Sequence, residues 1–291
     1  MSDELAQLEV LAIAAPSASG ALPALQERLR PLVERLDLIS PRSVEALQEA
    51  VARSAGTYGA LCVLGGDGTI NRVVNAMDLP RQKLIILPTG RGNDFARMLR
   101  LPLKLKPALA RLPHLSFREV DVGMAGSIRF VNSAGLGLDA EVLRLMERSR
   151  GLCRRNYLFA FILTLARLRP LKLSCDLFPR ASSGRCWWVV AMNGRWIGGG
   201  IPIAPQASLQ DGKLDALAVT AGGRWTMMLK LLPVLRQQHL QSPEVEFAQR
   251  SSFEVGELEA PFALEVDGEL YSCQQSRLSF HSLPAALTIL C

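Results

Sequence analysis

The sequence has no C-x-x-C pair, and its six cysteines (Cys62, Cys153, Cys175, Cys186, Cys273 and Cys291) are widely spaced. That pattern supports neither a zinc site nor a disulfide framework, so reduced thiols in a cytosolic protein are expected. Cys62 sits within an apolar run, as a small hydrophobe does. Long hydrophobic runs are also missing: the longest, YLFAFILTLA at Tyr157–Ala166, falls well short of the ~20 residues a spanning helix needs. The opening MSDELAQLEVLAIAAP carries early acids and no basic region, which argues against a secretory leader. Only three tyrosines are available for stacking and most cations are scattered, which disfavours a nucleic-acid partner. No G-x-x-x-x-G-K-[ST] occurs, so there is no Walker A loop.

What is present is a globular composition, 49% hydrophobic and 21% charged over 291 residues, enough for one large or two ordinary domains. The net charge of +6 fits an anionic partner. Eight cations lie between Arg144 and Lys172 against Glu147 alone. A core helix with a solvated charged flank accounts for that segment, and so does a patch that docks on anionic lipid.

The first 122 residues alternate strand and helix signals. Short apolar runs at 9–16, 60–66 and 83–90 end at Pro or Gly, as buried parallel strands do, with helical patterns at Ala21–Leu36, Ser43–Ala55 and Thr69–Met77. This predicts an α/β domain with a parallel sheet, whose ligands bind beyond the carboxyl ends of the strands. From residue 123 to 291 the texture changes. Helical stretches at 137–149 and 154–168 precede the strand-like LKLSCDLF, CWWVVAMN, LDALAVT, FALEV and LTILC, with one helix over roughly 225–240. That predicts a β-rich antiparallel domain, a sandwich whose final strand has the option of returning to the first domain.

The stretch LGGDGTINRVVNAM raises the functional question. Gly65, Gly66 and Gly68 permit a tight strand-to-helix turn that exposes backbone N–H groups, and the helix that follows offers a positive dipole end. Thr69 can cap that helix or bond a phosphate. Asp67 would repel phosphate unless a cation intervenes, which argues for Mg²⁺. LPTGRGNDFARML repeats the logic, with Asn93 or Asp94 opening a helix.

Taken together, GGDGTINRVVN and PTGRGNDFARML resemble the diacylglycerol kinase catalytic family, which includes bacterial lipid kinases and sphingosine kinases. The resemblance implies an ATP site at Ser40, Gly65, Gly66, Asp67, Gly68, Thr69, Asn71, Gly90, Arg91, Asn93 and Asp94. It implies that Asp121, which ends the strand in REVDVGMA, joins Asp67 and Asp94 in a water–metal network. In IGGGIPIAPQASLQDGK it implies a structural Mg²⁺ on Asp211 and the backbone carbonyls of Ser208 and Lys213; a plain Asp-Gly turn explains the same residues. In FALEVDGELYS a hairpin turn accounts for Asp267-Gly268, while the family's D-G-E signature implies Glu269 or Asp267 as general base, Glu269 being favoured because the turn can occupy Asp267. VNSAGLGLDAEV matches a dinucleotide fingerprint by chance, having no parallel βαβ context; the family carries a similar N-x-x-G-x-G-x-D-A segment.

The chain departs from the family pattern at Ala15, where many members have asparagine, and at Arg91, where a threonine is usual. The expected protein is therefore a two-domain, ATP- and Mg²⁺-dependent lipid kinase, cytoplasmic and peripheral to the inner membrane face, acting on a diacylglycerol-, phosphatidylglycerol- or sphingoid-type hydroxyl. A homodimer stays open. The alternatives are an NAD kinase-like phosphotransferase and a non-catalytic lipid-binding protein on the same fold.

Overall fold

The computed structural model describes residues 2–149, 157–220, 234 and 236–291. They fall into two compact units, Met1–Val122 with Pro284–Cys291, and Gly123–Leu283.

In the first unit, strands β1 (Glu9–Ala14), β2 (Arg35–Ile39), β3 (Ala60–Gly65) and β4 (Lys83–Pro88) lie in the order β2-β1-β3-β4. All three pairings are parallel. Every residue of β3 is buried, as expected for a strand covered on both faces. The helices are α1 (Ser2–Ala6), α2 (Leu22–Leu29), α3 (Val44–Ser54), α4 (Asp67–Ala76), α5 (Asp94–Met98) and α6 (Leu105–Ala110). Ser43 caps α3 by accepting the Ala46 N–H at 3.1 Å. The helix expected over Ala21–Leu36 stops at Leu29. Pro31 lacks the N–H that would continue it, and Arg35–Ile39 becomes the edge strand β2. Val10, Leu25, Leu29, Cys62, Leu64 and Leu87 form the core.

In chain order the remaining strands are β5 (Phe117–Ala125), β6 (Ile128–Phe130), β7 (Ser133–Gly137), β8 (Cys186–Met192), the short pair β9 (Trp196–Ile197) and β10 (Ile201–Pro202), β11 (Leu214–Thr220), β12 (Val245–Arg250), β13 (Ser252–Val255), β14 (Phe262–Val266), β15 (Glu269–Cys273) and β16 (Leu278–Leu290). The second unit is built on a six-stranded sheet, β12-β11-β8-β7-β14-β15, antiparallel throughout. One face packs on a core with Leu136, Val189, Leu264 and Phe280. On the other, Trp188 and Val190 meet Leu138 and Val142 of α7 (Leu138–Arg148), which packs on α8 (Tyr157–Leu165). A short α9 (Pro179–Ser183) follows.

One further expectation is corrected. LKLSCDLF is not a named strand: it makes only the bridges Leu171↔Cys186 and Ser174↔Gly256. The Cys175 N–H is taken by the Ser182 hydroxyl at 2.7 Å, which removes a ladder donor. LTILC is the tail of the longer β16, whose last residues pair in parallel with β4 of the first unit, Ile289 opposite Leu84. The helix expected over 225–240 lies largely outside the described residues, as do Arg150, Arg154 and Arg155. No described helix is long and apolar enough to cross a membrane.

Candidate active site

Two glycine loops meet in the first unit. β3 runs out at Gly65 and α4 begins at Asp67, while β4 ends at Pro88 and α5 begins at Asp94. The loops approach so closely that a Cβ on Gly66 would stand 2.9 Å from the Gly90 Cα, and one on Gly90 2.5 Å from the Gly66 Cα. Gly65 is equally tight, since a Cβ there would meet the Thr69 side chain. The Thr89 N–H donates to the Gly65 carbonyl at 3.0 Å, extending the β3–β4 ladder. Asn93 takes the left-handed conformation at φ 53° and closes its loop on Gly90. The Gly90 N–H donates to Asn93 Oδ1 at 3.0 Å, and Asn93 Nδ2 donates to the Gly90 carbonyl at 2.8 Å. A cavity of about 480 Å³ opens alongside, lined by Ser17, Gly20, Thr89, Gly90 and Lys104 among others. That volume is in the range of small-molecule sites.

Asp67 faces the start of α5. Its Oδ2 and Oδ1 accept the backbone N–H groups of Asp94 at 3.2 Å and Phe95 at 3.1 Å. The carboxylate thus ties one loop to the other, and each of its oxygens keeps further acceptor capacity. Asp94 is buried, with Arg97 Nε at 3.7 Å from its carboxylate. Asp121 accepts the Ala285 N–H at 2.8 Å. Among the described residues no three acid, histidine or cysteine side chains group as a metal cluster. Asn71 is buried in α4. Ser40, half-buried past β2, donates to the Ala14 carbonyl at 3.3 Å. Arg91 is exposed at the loop tip.

In the second unit, Asp267 sits in the β14–β15 turn at φ 48° and is buried. Its carboxylate accepts three consecutive backbone N–H groups, from Val131 and Asn132 at 2.8 Å and Ser133 at 2.9 Å. Such a nest binds the ionised form strongly, so Asp267 is a bracket between β14 and the entry to β7. Glu269, half-buried at the start of β15, is the turn carboxylate nearer solvent. Asp211 is exposed, and its Oδ1 accepts the Lys213 N–H at 3.0 Å, an Asx turn. The Ser208 hydroxyl accepts the Gln210 N–H at 3.2 Å. Asp215, four residues on and buried, has its carboxyl pushed up to about 6, first by burial and further by the Asp211 charge.

The fingerprint-like Gly135 and Gly137 lie in β7, whose neighbours β8 and β14 are both antiparallel to it, and Ala140 lies in α7, so the segment is not part of a parallel dinucleotide-binding crossover. Gly135 is required because a Cβ there would overlap the Asp139 carboxylate, and Gly137 because its φ is +93°. Two openings flank α7. One is a mainly apolar cavity of about 60 Å³ bounded by Phe161, Trp188, Ile203 and Leu217, with His239 and Glu244 also on its lining. The other, about 560 Å³, is lined by several leucines and by Arg144, Arg148, Arg167 and Arg169. Arg144 pairs with Glu141.

Sequence reasoning missed Lys104, whose cavity is assembled from distant segments. It also missed the buried acids Asp139 and Glu265. The signal for these was an acid in the first turn of a helix, four residues after a glycine, and another inside a strand that alternates with Leu264 and Val266.

Comparison with known proteins adds the following. Residues 14–125 match the diacylglycerol kinase catalytic domain, and residues 132–291 match the YegS C-terminal NAD kinase beta sandwich-like domain. A diacylglycerol kinase of Mycobacterium tuberculosis is 30% identical over 292 residues, 95% of this chain and 90% of that protein. A probable lipid kinase YegS-like protein of Pseudomonas putida is 32% identical over 176 residues, and the match spans 59% of each. A crystal structure of a Bacillus anthracis protein described as a diacylglycerol kinase shares the fold. Its TM-score is 0.78 at 22% identity, covering 98% of this chain and 95% of that one.

Proposed function

Since the chain belongs to the diacylglycerol kinase catalytic family, we propose that it is an ATP-dependent lipid kinase, transferring the γ-phosphate to a hydroxyl of a membrane lipid. The observation that carries this reading is the Gly66–Gly90 approach. Two loops meet glycine to glycine at adjacent strand ends, beside a cavity of about 480 Å³. Backbone N–H groups and the start of α4 suit a polyphosphate there, and the cavity suits the nucleoside. Ser40, Gly65, Gly68, Thr69, Asn71, Asn93 and Asp94 shape or flank that loop pair. Exposed Arg91 adds a cation where a polyphosphate would lie.

Phosphoryl transfer asks the protein mainly for positioning and charge neutralisation. Asp67 would hold Mg²⁺ together with the nucleotide's own phosphates, because it stands between the two glycine loops and each of its oxygens keeps acceptor capacity, with Asp94 and Asp121 joining through water. When bound, the ion would neutralise charge on the phosphates. Asp211 with the carbonyls of Ser208 and Lys213 would hold at most a weak, half-hydrated second ion. Glu269 is the general base, taking the proton of the lipid hydroxyl, while Asp267 fixes the turn that carries it.

The acceptor is a lipid by analogy with the relatives' names, supported by the mainly apolar cavity at Phe161 and Trp188 and by the arginine-lined opening beside α7. That opening suits docking at an anionic membrane face from the cytoplasmic side. The test is incubation of the full chain with labelled ATP, Mg²⁺ and a panel of diacylglycerol, phosphatidylglycerol, sphingoid base and NAD. Label in a lipid supports the reading. Label in NAD alone, or in nothing, overturns it.

A further inference from the structure

A buried acid pair lies directly beneath the turn that carries Glu269. Glu265 of β14 stands opposite Gly135 of β7. Directly paired antiparallel residues have Cβ positions about 4.5–5.5 Å apart on one face. Gly135 has no side chain, and the Asp139 carboxylate, from the first turn of α7, fills the space its Cβ would take. The two carboxyl groups are therefore cross-strand neighbours on the face covered by α7, and both residues are buried. Asp139 Oδ1 accepts the Ala140 N–H at 2.7 Å. Glu265 Oε1 accepts the N–H of Gly268 at 2.6 Å, in the middle of the Asp267-Gly268-Glu269 turn.

We propose that Asp139 and Glu265 form a carboxyl pair that shares a proton and, through the Gly268 N–H, positions the turn that presents Glu269. This deepens the lipid-kinase reading and rests on it. Both are positioning residues, acting through the turn and not on the substrate.

The surroundings require the proton. Burial, and then the Asp139 charge, push Glu265 well above the usual carboxylate range. Asp267 and Glu269 act in the same direction. Burial raises Asp139 to about 7, opposed by the Trp188 indole of β8 and by backbone N–H groups. With four acids around one turn, a proton held between the inner two keeps that pair from adding its full charge beneath the turn. Two ionised neighbours in that volume would repel each other and drive the turn outward.

The experiment measures kcat and KM for ATP from about pH 6 to pH 10 in the full chain and in Glu265→Met and Glu265→Gln. Methionine fills the space without accepting the Gly268 N–H. It is expected to lower kcat by about tenfold, the scale of one lost hydrogen bond to a charged or protonated group, with KM for ATP changed by less than about twofold. Glutamine keeps a carbonyl acceptor and cannot ionise. It is expected to recover most of the methionine variant's loss and to flatten the alkaline fall in kcat that the pair predicts for wild type. Wild-type turnover in Glu265→Met, or an unchanged alkaline fall in Glu265→Gln, overturns the proposal. Infrared difference spectra at neutral pH decide it independently of activity and of whether the methionine variant folds. A protonated-carboxyl band present in wild type and absent from the Asp139→Asn/Glu265→Gln double variant supports the pair, and its absence from wild type overturns it. If wild type phosphorylates no lipid, the functional reading fails while the infrared comparison still judges the pair.

Discussion

Gly66 and Gly90 touch backbone to backbone, their Cα atoms occupying the space where each other's side chain would begin. The two residues sit in loops that follow neighbouring parallel strands, so their contact fixes the spacing of both loops. Gly90→Ala is expected to force the loops apart at a cost of about 1–3 kcal/mol, the range for overpacking. Binding of a non-hydrolysable ATP analogue, measured by calorimetry, should weaken by about tenfold or more. Wild-type affinity in this variant would detach the glycine contact from the nucleotide.

Asp67 has two duties that a pair of substitutions separates. Its carboxylate joins the loops through the Asp94 and Phe95 N–H groups, and it is the residue proposed to hold Mg²⁺. Asp67→Ala should lose roughly 1–2 kcal/mol of stability, as for a lost helix cap, together with more than about a hundredfold in turnover. Asp67→Asn, retaining one acceptor, should recover much of the melting temperature and little of the turnover. Equal recovery of both would reduce Asp67 to a structural tie.

For Glu269, the expected signature is kinetic. Glu269→Gln should lower kcat by about 10²–10⁴-fold, the usual contribution of a general base, while ATP affinity changes little. A comparable loss of ATP affinity would place Glu269 in the scaffold.

Asp267 should behave in the opposite way. Its carboxylate accepts three N–H groups in a buried turn, and asparagine offers one oxygen for them while adding donors that have no acceptor there. Asp267→Asn is expected to cost on the order of 3 kcal/mol in urea unfolding. A neutral effect on stability would mean the nest is not formed in solution.

These contrasts explain what was legible in the sequence. The loops at Gly65–Gly68 and Gly90–Asp94 were readable because a strand end, its glycines and the next helix are contiguous. β3, β11 and β14 were readable as apolar runs with clear breaks. The role of Asp267 was not, since its donors lie more than 130 residues earlier. Nor was the Ala285 N–H as a partner of Asp121, because an acid within an apolar run reads the same whether it faces a cation or a backbone donor. Asp139 and Glu265 were hidden for a related reason: only the pairing of β7 with β14 sets Glu265 across from the glycine that makes room for Asp139.

Asp215 gives a pH test that is independent of catalysis. It is buried in β11, accepts a hydrogen bond from Gln249 at 3.1 Å, and has its carboxyl raised from 3.8 to about 6, chiefly by burial. A raised value means the folded chain holds this proton more tightly than the unfolded chain. Between about pH 4 and pH 6 the native state therefore carries a proton that the unfolded state has released, and stability attributable to Asp215 falls as pH rises through that window. Asp215→Asn removes the titration and keeps an oxygen for Gln249. The variant's unfolding free energy relative to wild type should be constant below about pH 4, shift in the variant's favour up to about pH 6, and level off above it. Urea unfolding at a series of pH values reads this directly, and a flat difference across the window would show that Asp215 is ionised in the native protein throughout.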